Sequence, residues 1–231
     1  MMTRVFQTCI GAAVAVSALA AASVQAETPR ELLTHASFID RDRTVALARV
    51  DRASAVAGAV LARAPGDQEA ALMQAMAVGY RAKLTGNRSE AIAARRQYES
   101  LVARFPRNPE AQAALGAWHV GVIVKLGRFV GRAAAGAQKG VGYEALDRAV
   151  ALGGNRAMFC GLAGLLRLEI DPEDPRGRAL VETASAAPAP TPIDGFIRRA
   201  AVAVLVPLRA GRGKEAKLLA DKLLPFGQIP T

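Results

Sequence analysis

The stretch from Ser89 to Leu126 constrains the fold most, because it encodes two amphipathic helices joined by a very short turn. In the first helix, apolar residues recur every three or four positions, as a buried helix side requires: Ala91, Ala94, Tyr98, Leu101 and Phe105. Pro106 disfavours helical geometry in the residue before it, so this helix is predicted to end near Phe105. Asn108 is predicted to cap the second helix, with Pro109 in its first turn. A turn this short predicts an antiparallel pair.

The spacing of several residues in this pair resembles the tetratricopeptide repeat (TPR). The residues that carry the resemblance are Ala94, Tyr98, Leu101 and Pro106, followed by the pair Leu115-Gly116 and by His119. His119 stands where the repeat usually has Tyr. The small Gly116 is predicted to let a neighbouring helix approach closely. The resemblance implies stacked helix pairs and a concave groove that binds a polypeptide.

The rest of the chain predicts about nine or ten helices and no convincing strand. Hydrophobic residues make up 52% of the sequence but aromatic residues only 5%, and the Ala-rich remainder favours closely packed helices over a sheet. Paired helices bury their apolar sides only by stacking, so we predict an all-α fold, a short TPR-like α-solenoid in one domain over residues 27–231. A Pro-rich connector, residues 187–192, precedes the last two helices. The alternative is a compact helical bundle.

The first 26 residues predict a secretory signal peptide: one Arg, an apolar run, and small residues before a cleavage site after Ala26. The alternative is a membrane anchor, but the most hydrophobic part is shorter than the roughly 20 residues that a spanning helix needs. No later segment is apolar for long enough to span a bilayer, so a periplasmic protein is expected. Cys160 is then the only cysteine, and its apolar neighbours predict that it is buried.

The net charge of +10 permits binding to anionic partners. Nucleic acid is not an expected partner, because the chain is predicted to be exported and aromatic residues are not interleaved with the basic ones. Most cations are Arg residues spread singly along helices, which is typical of a solvated face.

Residues 127–142 are rich in Gly and Ala. Lys139 in this segment is followed by Gly140 and no strand precedes it, so the segment lacks the pattern of a phosphate-binding loop. Helix packing, a flexible loop and a ligand wall all remain open for it.

The sequence indicates neither a metal site nor a cofactor. Neither His35 nor His119 has a second ligand three or four residues away, and no nucleophile motif is present. We therefore expect a non-catalytic protein that binds an envelope protein or peptide in its groove. The residues predicted to face that partner are Gln74, Arg81, Glu110, Ala117 and Val120. The alternative is a periplasmic small-ligand carrier associated with a transporter, and a weaker third hypothesis is an enzyme that depends on His119.

Overall fold

The structure is a computed structural model that describes residues 27–230, and these residues form eleven α-helices and no strand. The predicted signal peptide, residues 1–26, lies outside the described residues. The helices are α1 Pro29–Phe38, α2 Arg43–Arg63, α3 Gln68–Thr85, α4 Arg88–Arg104, α5 Pro109–Leu126, α6 Arg128–Ala135, α7 Lys139–Leu152, α8 Ala157–Ile170, α9 Pro175–Ala186, α10 Pro192–Arg209 and α11 Gly213–Leu223.

Local sequence signals set most helix boundaries as predicted. The Thr28 side chain accepts from the Glu31 N–H while the Glu31 carboxylate accepts from the Thr28 N–H, a capping box at the start of α1. The helix before Pro106 ends at Arg104, one residue before the predicted Phe105. Asn108 caps α5 through its side-chain oxygen. These caps satisfy backbone N–H groups that the first helical turn leaves without partners.

The fold is an all-α solenoid, as predicted from the sequence. Most helices pack on the next helix or the next but one along the chain, among them the pairs α1 with α2, α3 with α4, α5 with α7, α8 with α9, and α10 with α11; α8 also packs on α5, α10 and α11. The prediction of a close approach at Gly116 is confirmed, since a Cβ there would stand 2.7 Å from the Leu146 Cγ and 2.9 Å from the Gly142 carbonyl oxygen. The absence of a side chain at Gly116 is therefore what allows α5 and α7 to pack this tightly.

The two ends of the solenoid touch each other. The rings of Phe38 in α1 and Phe196 in α10 stack with centroids 5.1 Å apart. The C-terminal segment, residues 224–230, returns to the first helices: the Phe226 N–H donates to the Ser37 carbonyl at 2.8 Å, and the Phe226 ring lies edge-on against Tyr80. The C-terminal segment therefore covers part of the surface of α1 and α3; Gln74 and Arg81, two of the residues predicted to face a partner, belong to α3.

The Gly-rich segment contains a helix that the sequence did not predict. α6 occupies Arg128–Ala135, and α7 begins at Lys139, inside the Gly-rich segment. In the described residues, no single helix has the length and apolar composition of a bilayer-spanning segment; α5 and α6 have them only together, and they are bent by 119°. Cys160 is buried, as predicted.

Candidate functional site

A cleft opens where α1, α3 and α5 begin, and we call it the Arg30 cleft. It has a volume of about 580 Å³. Its lining consists of Arg30, Gln68, Glu69, Leu72 and the turn from Phe105 to Glu110. The lining combines apolar residues (Leu72, Phe105, Pro106 and Pro109) with charged ones, as sites that bind organic ligands or short polypeptide segments do.

Arg30 is the electrostatic centre of this cleft. Its guanidinium forms two hydrogen bonds with the Glu69 carboxylate, both 2.7 Å long, and a third contact of 2.7 Å with the Glu110 carboxylate. Burial alone would lower the pKa of Arg30, but the two carboxylates together raise it above its usual value. The Arg30 side chain stays about one-third exposed. The cleft therefore holds a fixed cation between two anions and remains accessible to solvent.

The five residues predicted to face a partner are not brought together on one surface. Glu110 lies in the Arg30 cleft. Arg81 is exposed and forms ion pairs with Asp51 and Glu90, and Gln74 donates to the Ser54 hydroxyl at 2.9 Å. Ala117 packs on the core, and Val120 is completely buried. Partner binding by this set stays a prediction, and in this arrangement Val120 offers no surface for it.

A second group of polar side chains joins the C-terminal parts of α3 and α8 to α11. Glu169 is buried, and burial raises its pKa to about 8; the nearby Asp221 carboxyl adds to the rise, while Lys83 opposes it. The Lys83 ammonium donates to the Pro225 carbonyl at 2.9 Å, and the Lys217 ammonium donates to the Glu169 carbonyl. These bonds fasten α11 and the C-terminal segment to the earlier helices, so we assign the group a structural role.

His119 has one paired and one unpaired ring nitrogen. The Gln138 N–H donates to the His119 Nδ1 at 3.2 Å. The Nε2 atom is buried without a hydrogen-bond partner. Burial, with a smaller effect of Arg95, lowers the pKa of His119 to about 4. The ring is therefore neutral near pH 7, with its proton on Nε2.

Comparison with known proteins adds no relative to this picture. No family model, no curated protein and no solved structure matches the chain. The site assignment therefore depends on the geometry alone.

Sequence reasoning found one member of the Arg30 cleft and missed the others. Glu110 was identified from the expected groove positions of the repeat. Arg30 and Glu69 are separated by 39 positions, and nothing in the sequence pairs them. Among residues 27–230, no three His, Cys, Asp or Glu side chains form a group that could hold a metal ion.

Proposed function

We propose that this chain is an exported, non-catalytic helical-repeat protein that binds another polypeptide of the bacterial-type cell envelope. The Arg30 cleft is the observation that carries the proposal. A bound segment can place an apolar side chain against Phe105 and Pro106 while its charged groups meet Glu69 or the exposed Arg107. The cleft thus offers both contact area and charge-based selectivity.

Recurring glycine contacts support the repeat character of the proposal. Besides Gly116 in α5, Gly79 in α3 lies against Tyr98 of α4, and Gly164 in α8 lies against Val181 of α9. In each case a glycine of the first helix touches the second helix of the same pair. This repetition agrees with the resemblance to TPR proteins, which implies polypeptide binding. The predicted signal peptide is the basis for placing the partner in the envelope.

Site-specific photo-cross-linking tests the proposal. Arg107 is replaced by p-benzoylphenylalanine in the full chain, which is then expressed in its source cells. We expect one dominant cross-linked polypeptide, because Arg107 lies exposed on the cleft rim. The same photoreactive residue at Arg148, exposed on α7 away from the cleft, serves as the control.

Charge reversal at the cleft should abolish that cross-link. Glu69→Lys changes the cleft charge, and Glu69 is more than half exposed, so the lost ion pair costs at most about 1 kcal/mol of stability. Glu144→Lys makes the same change in net charge at an exposed position of α7, away from the cleft. Two results would contradict binding in the cleft. One is cross-linking of equal strength from positions 107 and 148, and the other is an equal loss of the cross-link in both charge variants.

The second candidate function is a small-ligand carrier, and a second cavity favours it. This cavity of about 400 Å³ is formed mainly by the Gly-rich segment and is lined by Arg128, Arg132, Lys139 and Tyr143. Three cations in the lining suit an anionic metabolite. A thermal-shift screen tests the hypothesis, because a ligand that binds only the folded state raises the melting temperature. Stabilisation by one class of anion, lost in Lys139→Ala, would favour the carrier.

A further inference from the structure

The bend between α5 and α6 exposes an unusual amount of apolar surface. We call residues 124–141 the basic elbow. Five of the ten exposed large hydrophobic residues in the described chain lie in it: Val124, Leu126, Phe129, Val130 and Val141. Phe129 is 85% exposed, more than any of the others. Scattered apolar residues on a surface need no explanation, but a cluster of them indicates an interaction site.

The same elbow carries a concentrated positive charge. Its cations are Lys125, Arg128, Arg132 and Lys139, and the sequence contains no Asp or Glu between Glu110 and Glu144. None of these four cations takes part in an ion pair within residues 27–230. Three of them line the cavity of about 400 Å³ described above. The surface is therefore both apolar and cationic. Its cations can bind an anionic partner, and its apolar residues can enter an apolar interior of that partner.

The elbow is held in place by the rest of the fold. The Arg88 Nε donates to the Ala134 carbonyl at 2.7 Å, and the Arg95 Nη1 donates to the Ala135 carbonyl at 2.9 Å. Both bonds satisfy carbonyl groups in the last turn of α6, where positive charge is favourable. At the other end, every residue from Val124 to Val130 is exposed. Phe129 is thus presented on an anchored helix, with its first turn directed into solvent.

We propose that the basic elbow docks the protein on the surface of a bilayer that contains anionic phospholipids. Leu126, Phe129 and Val130 enter the boundary between headgroups and acyl chains, and the cations bind lipid phosphates. Interfacial helices combine these residue types in this way, with Lys and Arg on one side and Phe and Leu on the other. A soluble phosphate would neutralise the cations but leave Phe129 in water. This inference is independent of the Arg30 cleft.

Vesicle co-sedimentation tests the proposal. The protein used begins at Glu27, because the apolar run before it could bind lipid by itself. Every contact described above lies within residues 27–230, so this protein should fold. Circular dichroism verifies its helical content. We expect binding to vesicles of phosphatidylcholine and phosphatidylglycerol, and none to phosphatidylcholine alone. Binding should weaken as salt is added, because salt screens exposed charges. Glycerol phosphate at millimolar concentration should not release the protein, which separates a bilayer from a free anion.

Two variants with matched controls assign the binding to the elbow. Arg128→Glu with Arg132→Glu should weaken partitioning by about tenfold or more, since each surface cation contributes on the order of 1 kcal/mol. Arg198→Glu with Arg209→Glu makes the same charge change at two exposed positions of α10, and this variant should bind as the parent does. Phe129→Ser should also weaken binding, while Val206→Ser, at a position 62% exposed on α10, should not.

The full chain provides a local measurement. In Phe129→Trp, the added tryptophan should be quenched by brominated lipid in anionic vesicles, whereas Trp118 of the parent should not be, because it is half-buried and bonded to the Ala91 carbonyl. Three results would overturn the proposal. They are the absence of quenching, equal binding of the protein to vesicles of phosphatidylcholine alone, and an equal loss of vesicle binding in the elbow variants and in their controls. Retention by an acidic polypeptide without any vesicle binding would overturn it as well.

Discussion

The buried carboxylate of Asp194 at the start of α10 accepts a hydrogen bond of 2.8 Å from the guanidinium of Arg156, which precedes the first residue of α8. It also accepts from the Met158 N–H at 2.9 Å and from the Thr191 hydroxyl at 2.6 Å. Burial alone would raise the pKa of Asp194, but these hydrogen bonds together lower it below its usual value. The contact therefore ties the beginnings of α8 and α10 together through an ionised group.

Removal of that carboxylate should destabilise the fold. We expect Asp194→Ala to lower the free energy of unfolding by about 3 kcal/mol, the lower part of the range for breaking a buried pair, because Arg156 keeps some contact with water. Urea denaturation at pH 7 measures the loss. Glu215→Ala, which breaks an exposed pair with Arg212, should change stability by less than about 1 kcal/mol. Similar losses in the two variants would contradict the role of burial.

Gly136 is required by the backbone and by its neighbour. Its φ of 75° lies in the left-handed region, and a Cβ there would collide with the Arg95 guanidinium that caps α6. We expect Gly136→Ala to destabilise the protein by at least about 1 kcal/mol, because Ala is strained at this φ. Denaturant unfolding is the measurement. Gly140→Ala, in the first turn of α7 with open space around it, should be neutral or stabilising.

The sequence predicted about nine or ten helices and the described residues form eleven; most of them were predictable because their signals are local. The cap at Asn108 and the stop at Pro106 act within a few residues, so they can be recognised without knowledge of the fold. α6 gives no such signal: its eight residues are rich in Gly and Ala, and no side chain caps its start. Arg88 and Arg95 stabilise its end from about 40 positions away in the sequence.

The candidate site was less predictable than the fold, for the same reason. Glu110 was identified because a repeat pattern assigns positions on one helix. Its partner Arg30 belongs to α1, and their contact exists only after α1, α3 and α5 have packed. The contact between Phe38 and Phe196 joins α1 to α10, and no local pattern in the sequence pairs these two residues.

Glu169 should make stability depend on pH. Because burial raises its pKa to about 8, the folded state keeps a proton that the unfolded state loses near pH 4.3, the ordinary pKa of Glu. Between these two pH values the folded state binds a proton that the unfolded state does not. The free energy of unfolding therefore falls as pH rises through this range. In Glu169→Gln, a neutral group replaces the carboxyl and this component disappears. The difference in unfolding free energy, variant minus parent, should therefore grow between pH 5 and pH 8; a constant difference would contradict the raised pKa.

His119 should stay neutral in the folded protein down to about pH 4, where burial places its pKa. Since Nδ1 accepts from the Gln138 N–H, the proton must be on Nε2. A long-range ¹H–¹⁵N NMR spectrum identifies this tautomer, and a titration from pH 7 to pH 4 should leave it unchanged until near the lower limit. The unfolded chain binds a proton near pH 6.5, so this residue should reduce stability as pH falls from about 6.5 towards 4. His119→Gln retains a hydrogen-bond acceptor without titrating and should remove that decline, whereas a protonated ring at pH 6 would contradict the buried, neutral assignment.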